Sequence, residues 1–297
     1  MGKAKYIHIS IILAIILYII WPYIATQPKE KYEVSVNGFL SYTNRPPVKY
    51  TENYLQEDSN RLLKKIVFES SDANIYSLLG VPKKAGSKAA FIVLPGAGMR
   101  KEVALDGLAK DLNDLGFVTI TLDQRGIGET QAQVNSIDSD ARIFLEGKEP
   151  IQHKMIYDVL RAYDFLKGLP DVDAEKIYAA GESMGGRFAI IAAGMESGIK
   201  GVLGVSTSGY KNQVTGNPEV DRFLKSIDPD TYVGKISPRP LVMVHSTNDT
   251  VIPYALAKDT FSRAGEPKFF WETHQLGHGY DKNGSLEFIQ RQLKGWL

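Results

Sequence analysis

A serine between glycines is the residue with the clearest chemical potential in this sequence. Ser183 lies within residues 181–186 (GESMGG), which match the pattern G-x-S-x-G. An apolar run predicts a strand at 176–180, and a helix is predicted at 184–193. On such a sharp turn the hydroxyl stands above the sheet, at the helix end that favours developing negative charge, and bulkier residues than glycine at 181 and 185 would collide with neighbours. This context favours a nucleophilic serine over a plain glycine-rich turn.

A serine hydroxyl needs a general base, and the base needs an acid that orients it. In strand–serine–helix sites of this kind the chain order is serine, acid, histidine. Asp249 follows the predicted strand 241–245 and lies at its carboxyl end, where ligand sites of open α/β sheets gather. The alternative role for Asp249 is to cap the next helix. Asp228 and Asp230 are weaker candidates because they precede that strand.

Two histidines follow Asp249 and could serve as the base. His278 stands between two glycines in a loop beyond the last predicted strand, 268–273, so its imidazole can reach across to Ser183. His274 stands at the end of that strand, which favours a structural role. The order serine–acid–histidine therefore predicts Ser183, Asp249 and His278 as a catalytic set.

Acyl transfer also needs two backbone N–H groups that stabilise the oxyanion. Met184, directly after the serine, is one predicted donor. The other is expected from residues 95–98 (PGAG), after the predicted strand 90–94, with Ala97 as the best candidate. The alternative for this loop is phosphate binding, but no Gly-Lys-Ser/Thr follows.

The amino-acid composition limits the partners, cofactors and nucleophiles that the protein can use. The 297 residues are 43% hydrophobic and 23% charged, which is typical of a globular protein, and the formal net charge of +1 gives no sign of a nucleic-acid partner. The absence of cysteine excludes disulfides, thiolate metal sites and a cysteine nucleophile. We expect no metal and no organic cofactor.

The elements that must position these residues alternate between strand and helix. A hairpin is predicted at 65–69 and 75–79, followed by strands at 90–94, 118–122, 176–180, 201–205, 241–245 and 268–273. Helices are predicted at 101–115, 154–166, 184–193, 254–263 and 285–297. Apolar strands without alternation are typical of a parallel sheet covered on both faces. The pattern predicts a mostly parallel, doubly wound α/β domain.

Residues 1–25 differ from the rest of the sequence in their long apolar run. The run 7–25 contains no Asp, Glu, Lys or Arg and is long enough to cross a bilayer as a helix. It predicts an uncleaved single-pass membrane anchor, with a cleaved signal peptide or a soluble element as alternatives. We expect a polar linker and surface segment at 26–60, followed by a catalytic domain at 61–297 that lies outside the cytoplasm.

Taken together, residues 61–297 resemble the α/β-hydrolase superfamily, in the branch of carboxylesterases, dienelactone-hydrolase-like enzymes and serine peptidases. Four segments match in the expected order: residues 95–98, residues 123–128 (DQRGIG), the turn at Ser183, and Asp249 with His278. Pro95 stands where the superfamily often has histidine. The resemblance implies the α/β-hydrolase fold, and it implies a structural role for residues 123–128.

These observations predict a serine hydrolase that cleaves a carboxylic ester through an acyl-enzyme. A serine peptidase of the same fold is the alternative enzyme. The alternative that is not an enzyme is a catalytically inactive binding module displayed at a membrane. Phe223, Leu224 and Tyr232 could line a substrate pocket, although packing onto the domain is the favoured interpretation. The oligomeric state stays open.

Overall fold

The computed structural model describes residues 31–58, 60–83, 89–274 and 277–297. The predicted anchor at 1–25 lies outside the described residues. Within the described ranges, no helix has both the length and the apolar character needed to cross a membrane.

The chain divides into two units of very different size. The smaller comprises residues 1–32 and 42–46; in its described part the rings of Tyr32 and Tyr42 lie 6.5 Å apart. The larger comprises residues 33–41 and 47–297. Strands β1 (Lys31–Val34) and β2 (Leu40–Thr43) form a two-stranded sheet.

Among the described residues, a nine-stranded sheet forms the centre of the larger unit. Its strands, in chain order, are β3 (Tyr50–Glu57), β4 (Arg61–Ser70), β5 (Ala73–Pro82), β6 (Ala90–Leu94), β7 (Val118–Leu122), β8 (Ile177–Glu182), β9 (Ile199–Val205), β10 (Leu241–Ser246) and β11 (Lys268–Thr273). They lie in the order β11-β10-β9-β8-β6-β7-β5-β4-β3. Strands β6 to β11 are all parallel, whereas β5, β4 and β3 add antiparallel pairs at one edge. The α/β fold class predicted from sequence is confirmed.

The helices follow the parallel strands. They are α1 (Lys101–Asp106), α2 (Leu108–Asp114), α3 (Ile137–Leu145), α4 (Ile151–Lys167), α5 (Met184–Met195), α6 (Pro218–Ser226), α7 (Pro229–Tyr232), α8 (Tyr254–Arg263) and α9 (Lys282–Leu293), with a 3₁₀ turn at Val233–Lys235. The single helix predicted at 101–115 is in fact two, because Gly107 has a non-helical ψ of −118°.

Both faces of the sheet are covered. One face packs Phe91, Tyr178 and Val244, among others, against apolar residues of α1, α2 and α9. Helices α4 and α5 contact β6 and β8 but contribute nothing to that cluster, so they cover the other face. Burial on both faces explains why β6 and β7 are buried at all five positions and apolar without alternation in β6.

Strand β3 lies in the segment 26–60, for which the sequence predicted a linker and surface segment without a strand. All eight of its residues are exposed, so the strand shows no alternation that would reveal it. Of the strands in the described part of the chain it pairs with β4 alone, and the sheet begins at Tyr50 rather than at residue 61.

The order of the central strands determines where a site can form. Strand β6 lies between β7, which follows it in the chain, and β8, which comes later. Chain connections therefore leave β6 and β8 in opposite directions, which opens a crevice at the carboxyl ends of these two strands. Residues 95–98 follow β6 and Ser183 follows β8.

Candidate active site

Ser183 occupies the turn between β8 and α5. Its φ of 52° and ψ of −117° lie in a region that a non-glycine residue adopts only when its surroundings enforce it. Those surroundings are visible: Ser183 N–H donates to the Val205 carbonyl (2.9 Å), and Thr207 Oγ1 donates to the Ser183 carbonyl (2.8 Å). Strand β9 and the loop after it therefore hold the serine in its strained conformation.

The glycines around the serine permit a close approach of three backbone segments. A Cβ at Gly181 would lie 2.4 Å from the Gly185 carbonyl carbon, and a Cβ at Gly185 would lie 2.3 Å from the Leu94 carbonyl oxygen. These contacts are with backbone atoms, which cannot turn aside as a side chain can. The requirement for glycine at 181 and 185, expected from the sequence, has this physical basis.

Asp249 and His278 are joined directly. Asp249 Oδ2 lies 2.8 Å from His278 Nδ1, while Asp249 Oδ1 accepts the N–H groups of Val251 and Ile252, each at 2.9 Å. The Asp249 side chain is fully buried, whereas 23% of the His278 side chain is exposed. Since a carboxylate only accepts hydrogen bonds, the proton of a neutral His278 lies on Nδ1, and Nε2 keeps its lone pair.

The loop of His278 is held against the serine turn by two residues that the sequence analysis did not select. Ser206, after β9, accepts the Gly279 N–H at 3.0 Å, and Glu182, the residue before the serine, accepts the Tyr280 N–H at 2.8 Å. Burial raises the pKa of the Glu182 carboxyl, against the opposing effects of the Tyr280 N–H and of His278. A charged residue at the end of an apolar strand was the available signal for Glu182. Within the described residues, no hydrogen bond joins Ser183 Oγ to His278.

The loop after β6 lies beside the serine. A Cβ at Gly96 would be 3.6 Å from Ser183 Cβ, and Ala97 follows directly. Gln124 Nε2 donates to the Pro95 carbonyl at 2.8 Å and so supports this loop from residues 123–128. Met184 is the first residue of α5, where an N–H has no acceptor within the helix. Met184 is thus the chain neighbour of Ser183, and Ala97 directly follows a glycine that lies beside it; their roles as oxyanion donors stay predictions.

The rival candidates have other partners. His274 Nδ1 lies 2.6 Å from Thr247 Oγ1 at an exposed position. Asp228 accepts the N–H groups of Tyr210 and Asn212, and Asp230 accepts the Thr260 hydroxyl. None of these three side chains hydrogen-bonds to His278 in the described part of the chain.

In the segment between β9 and β10, two of the side chains that could have lined a substrate pocket are packed into the protein interior. Phe223 is fully buried, with its ring 5.6 Å from that of Phe144, and the Tyr232 hydroxyl donates to the Ser226 carbonyl at 2.9 Å. These two side chains thus belong to the core, which agrees with the favoured interpretation. Among the described residues, no group of three or more His, Asp or Glu is placed to hold a metal ion.

The parallel sheet, the crossing at β6 and β8 and the strained serine turn define the α/β-hydrolase class, as the resemblance implied. The profile of the acetyl xylan esterase (AXE1) family matches residues 53–231, more than half of the chain, and the chain belongs to that family. The matched region includes Ser183, whereas Asp249 and His278 lie beyond it.

Individual relatives are distant. The uncharacterized protein YfhR of Salmonella typhi is 28% identical over 157 residues, which cover 46% of this chain and 52% of that protein. The acetyl esterase Axe7A of Xylanibacter ruminicola is 25% identical over 184 residues, 53% of this chain and 39% of that protein. The chain thus spans about half the length, or less, of the curated relatives it matches.

Solved structures share the fold over most of the chain. Acetyl xylan esterase 1 from Thermoanaerobacterium sp. JW/SL YS485 has a TM-score of 0.67 at 18% identity, covering 84% of this chain and 87% of that one. The acetyl xylan esterase from Paenibacillus sp. R4 has a TM-score of 0.68 at 19% identity, covering 85% and 90%. At these identities the likeness establishes the fold.

Proposed function

We propose that this protein hydrolyses carboxylic esters through Ser183, His278 and Asp249. The observation that carries the proposal is the 2.8 Å contact between His278 Nδ1 and Asp249 Oδ2, in a loop pinned to the strained serine turn. Membership of the acetyl xylan esterase family supports the same reaction class.

The proposed reaction has two halves. Ser183 Oγ attacks the ester carbonyl carbon while His278 Nε2 takes the hydroxyl proton, and the N–H groups of Ala97 and Met184 stabilise the oxyanion. The intermediate collapses to an acyl-serine as His278 returns the proton to the departing alcohol. A water molecule, deprotonated by His278, then attacks the acyl carbon. The second tetrahedral intermediate expels Ser183 Oγ, which takes the proton back from His278, and the carboxylic acid is released.

Asp249 acts through His278 in this scheme. Its buried carboxylate keeps the Nδ1 proton in place and stabilises the imidazolium that forms in each half-reaction. Its second oxygen, held by two backbone N–H groups, prevents the carboxylate from turning away.

For the substrate we propose an acetyl or other short acyl ester, with an acetylated carbohydrate as the first class to test. The support is the family match and the name of the relative Axe7A, an acetyl esterase. No contact in the described residues favours a peptide over an ester.

The test is labelling of the full-length protein by a fluorophosphonate, together with hydrolysis of p-nitrophenyl acetate. Wild type is expected to react in both assays, and Ser183→Ala and His278→Ala to lose both. His274→Ala is the matched control, because that histidine contacts Thr247 rather than Asp249, and it is expected to stay within about twofold of wild type. Well-folded wild type that neither labels nor turns over would overturn the proposal and favour the binding module.

A panel that sets acyl esters against aminoacyl-arylamides separates esterase from peptidase. We expect kcat/KM for the esters to exceed that for the arylamides at least about a hundredfold, because an amide has a poorer leaving group. Comparable efficiencies on the two would replace the esterase with a peptidase.

From the sequence alone we also propose that residues 7–25 anchor the protein in a membrane, with the catalytic domain outside the cytoplasm. Alkaline extraction of membranes should leave the protein in the pellet. Protease added to spheroplasts should degrade the catalytic domain; a protected domain would reverse the proposed orientation.

A further inference from the structure

A carboxylate lies where the strand pattern calls for an apolar side chain. Along β8 alternate side chains share a face, so Glu182 continues the row of Tyr178 and Ala180. Tyr178 and Ala180 are buried in the apolar cluster beneath α1, α2 and α9. Glu182 ends that row and is itself only partly exposed. Removing a charge from water in this way is costly unless the charge is paired or hydrogen-bonded.

The partner of Glu182 is the loop that carries His278. Its Oε2 atom accepts the Tyr280 N–H at 2.8 Å, and a Cβ at Gly279 would lie 3.3 Å from the same oxygen. Glu182 Oε2 therefore lies against the two residues that directly follow His278. In the chain, Glu182 is also the immediate neighbour of Ser183, so one residue links the nucleophile to the base.

His278 is bordered by two acidic groups. Asp249 lies at Nδ1, and Glu182 interacts electrostatically with the imidazole from the strand β8 side. Behind Asp249, His245 Nε2 lies 3.5 Å from Oδ2 and also points to the Ile252 carbonyl.

The far end of Tyr280 is occupied by other charges. Its hydroxyl donates to Asp111 Oδ2 at 2.8 Å, and Lys282 Nζ binds Asp111 Oδ1 at 2.5 Å. The carboxylate of Asp281 also interacts electrostatically with the Tyr280 hydroxyl. Lys282 therefore pairs with the charge of Asp111, and Asp111 anchors the ring of Tyr280. The backbone of the loop is held by Glu182 at Tyr280 and by Ser206 at Gly279.

We propose that Glu182 is a positioning residue, which fixes the His278 loop through the Tyr280 N–H and whose negative charge stabilises the imidazolium of His278. The inference rests on the proposed esterase function. It assigns two separable properties to one side chain: a hydrogen-bond acceptor and a charge. Burial raises the pKa of the Glu182 carboxyl, so its charge is lost at a less acidic pH than the charge of an exposed glutamate.

Two substitutions separate these properties in the full-length protein. Glu182→Gln keeps an oxygen acceptor for the Tyr280 N–H and removes the charge, whereas Glu182→Ala removes both. Glu69→Gln is the matched control, since its side chain is 62% exposed and lies on β4, away from the site. For each variant we would measure kcat and KM for p-nitrophenyl acetate from pH 5 to 9, and the titration of the His278 imidazole by NMR of ¹³C-labelled histidine, assigned with His278→Ala.

With Glu182→Gln, the imidazole titration midpoint and the acidic limb of the rate profile are expected to move to lower pH by about one unit, because a neighbouring negative charge favours the protonated ring. The kcat is expected to fall about tenfold, with KM changed less than twofold. Glu182→Ala should show the same displacement and a further loss of about tenfold in kcat, since the Tyr280 N–H loses its acceptor and the loop is then held through Ser206 and Gly279 without Glu182.

An unmoved imidazole titration in both variants would overturn the proposal, as would a kcat within twofold of wild type in Glu182→Ala. Equal losses in the two variants without any pH displacement would reduce Glu182 to a structural group and would also overturn it. The NMR titration requires no turnover. If the imidazole titration is displaced as expected in the two variants while the wild type hydrolyses no ester, the result contradicts the esterase function rather than the role of Glu182.

Discussion

At the scale of single residues, the two oxygens of Asp249 have different partners, and this difference lets one carboxylate perform two roles. Oδ1 satisfies two backbone N–H groups of its own loop, and Oδ2 faces His278. A residue that capped the loop alone would leave the second oxygen to solvent. Capping, the alternative role considered for Asp249, and histidine contact are therefore combined in one side chain.

Asp249→Asn tests the second role while it preserves the first. The asparagine oxygen can still accept the backbone N–H groups, but its NH₂ group cannot accept the His278 Nδ1 proton, and the ring is driven to the wrong tautomer. We expect kcat for p-nitrophenyl acetate to fall about 10³- to 10⁴-fold. Asp259→Asn, an exchange of the same type on α8 beside Arg263, is the control and should stay near wild type. A loss smaller than tenfold would remove Asp249 from the site.

At the scale of elements, the serine turn depends on how closely β8, α5 and β6 approach one another. Gly185 lies at the start of α5 against the end of β6, and its missing side chain sets that distance. The strain at Ser183 persists because these three elements leave it no other conformation.

Gly185→Ala should therefore destabilise the fold. The new methyl group would lie 2.3 Å from the Leu94 carbonyl oxygen and 2.5 Å from that of Pro95, so α5 must move away from β6. We expect the free energy of unfolding in urea to fall by about 3 kcal/mol. Gly295→Ala introduces the same methyl group where no atom lies within 4 Å, and it should change stability by less than about 0.5 kcal/mol. Equal stability of the two variants would show that the packing at residue 185 is loose.

At the scale of the whole molecule, the response to acid depends on groups buried in their neutral form. His153 on α4 is fully buried between Phe144 on α3 and Phe223 on α6, and its Nε2 lies 2.6 Å from Ser226 Oγ. Because the Ser226 hydroxyl donates to the Phe223 carbonyl, it accepts the Nε2 proton of His153. Burial lowers the pKa of His153 from 6.5 to about 3.

This pKa shift predicts a loss of stability in mild acid. Below pH 6.5 the unfolded chain binds a proton that the folded protein does not take up until about pH 3, so stability falls as the pH falls through that window. Between pH 7 and pH 5 the wild type should lose about 2 kcal/mol more than His153→Gln, which has no proton to gain. Urea unfolding of both proteins at the two pH values measures the difference. Parallel losses would mean that His153 is protonated in the folded state.

The local elements could be predicted from the sequence because they depend on neighbours in the chain. The bounds of β6, β7, β11 and α8 agree with those predicted, and the strand–serine–helix turn lies where its glycines indicate. Apolar runs and glycines act within a few residues, so their pattern is readable without a fold. The same pattern supported the choice of Ser183, Asp249 and His278, whose catalytic roles stay predictions.

Other features depend on residues that are distant in the chain. Strand β3 exists because β4 offers it a hydrogen-bonding edge, since its own exposed residues carry no periodic signal. Glu182 and Tyr280 meet although 98 residues separate them, and Ser206 and Gly279 meet across 73. By itself the sequence determined the class of fold, the order of its elements and the candidate residues. Only the tertiary structure decided which strands are neighbours and which side chains hold His278, because those contacts follow from strand order and packing, which local propensity does not encode.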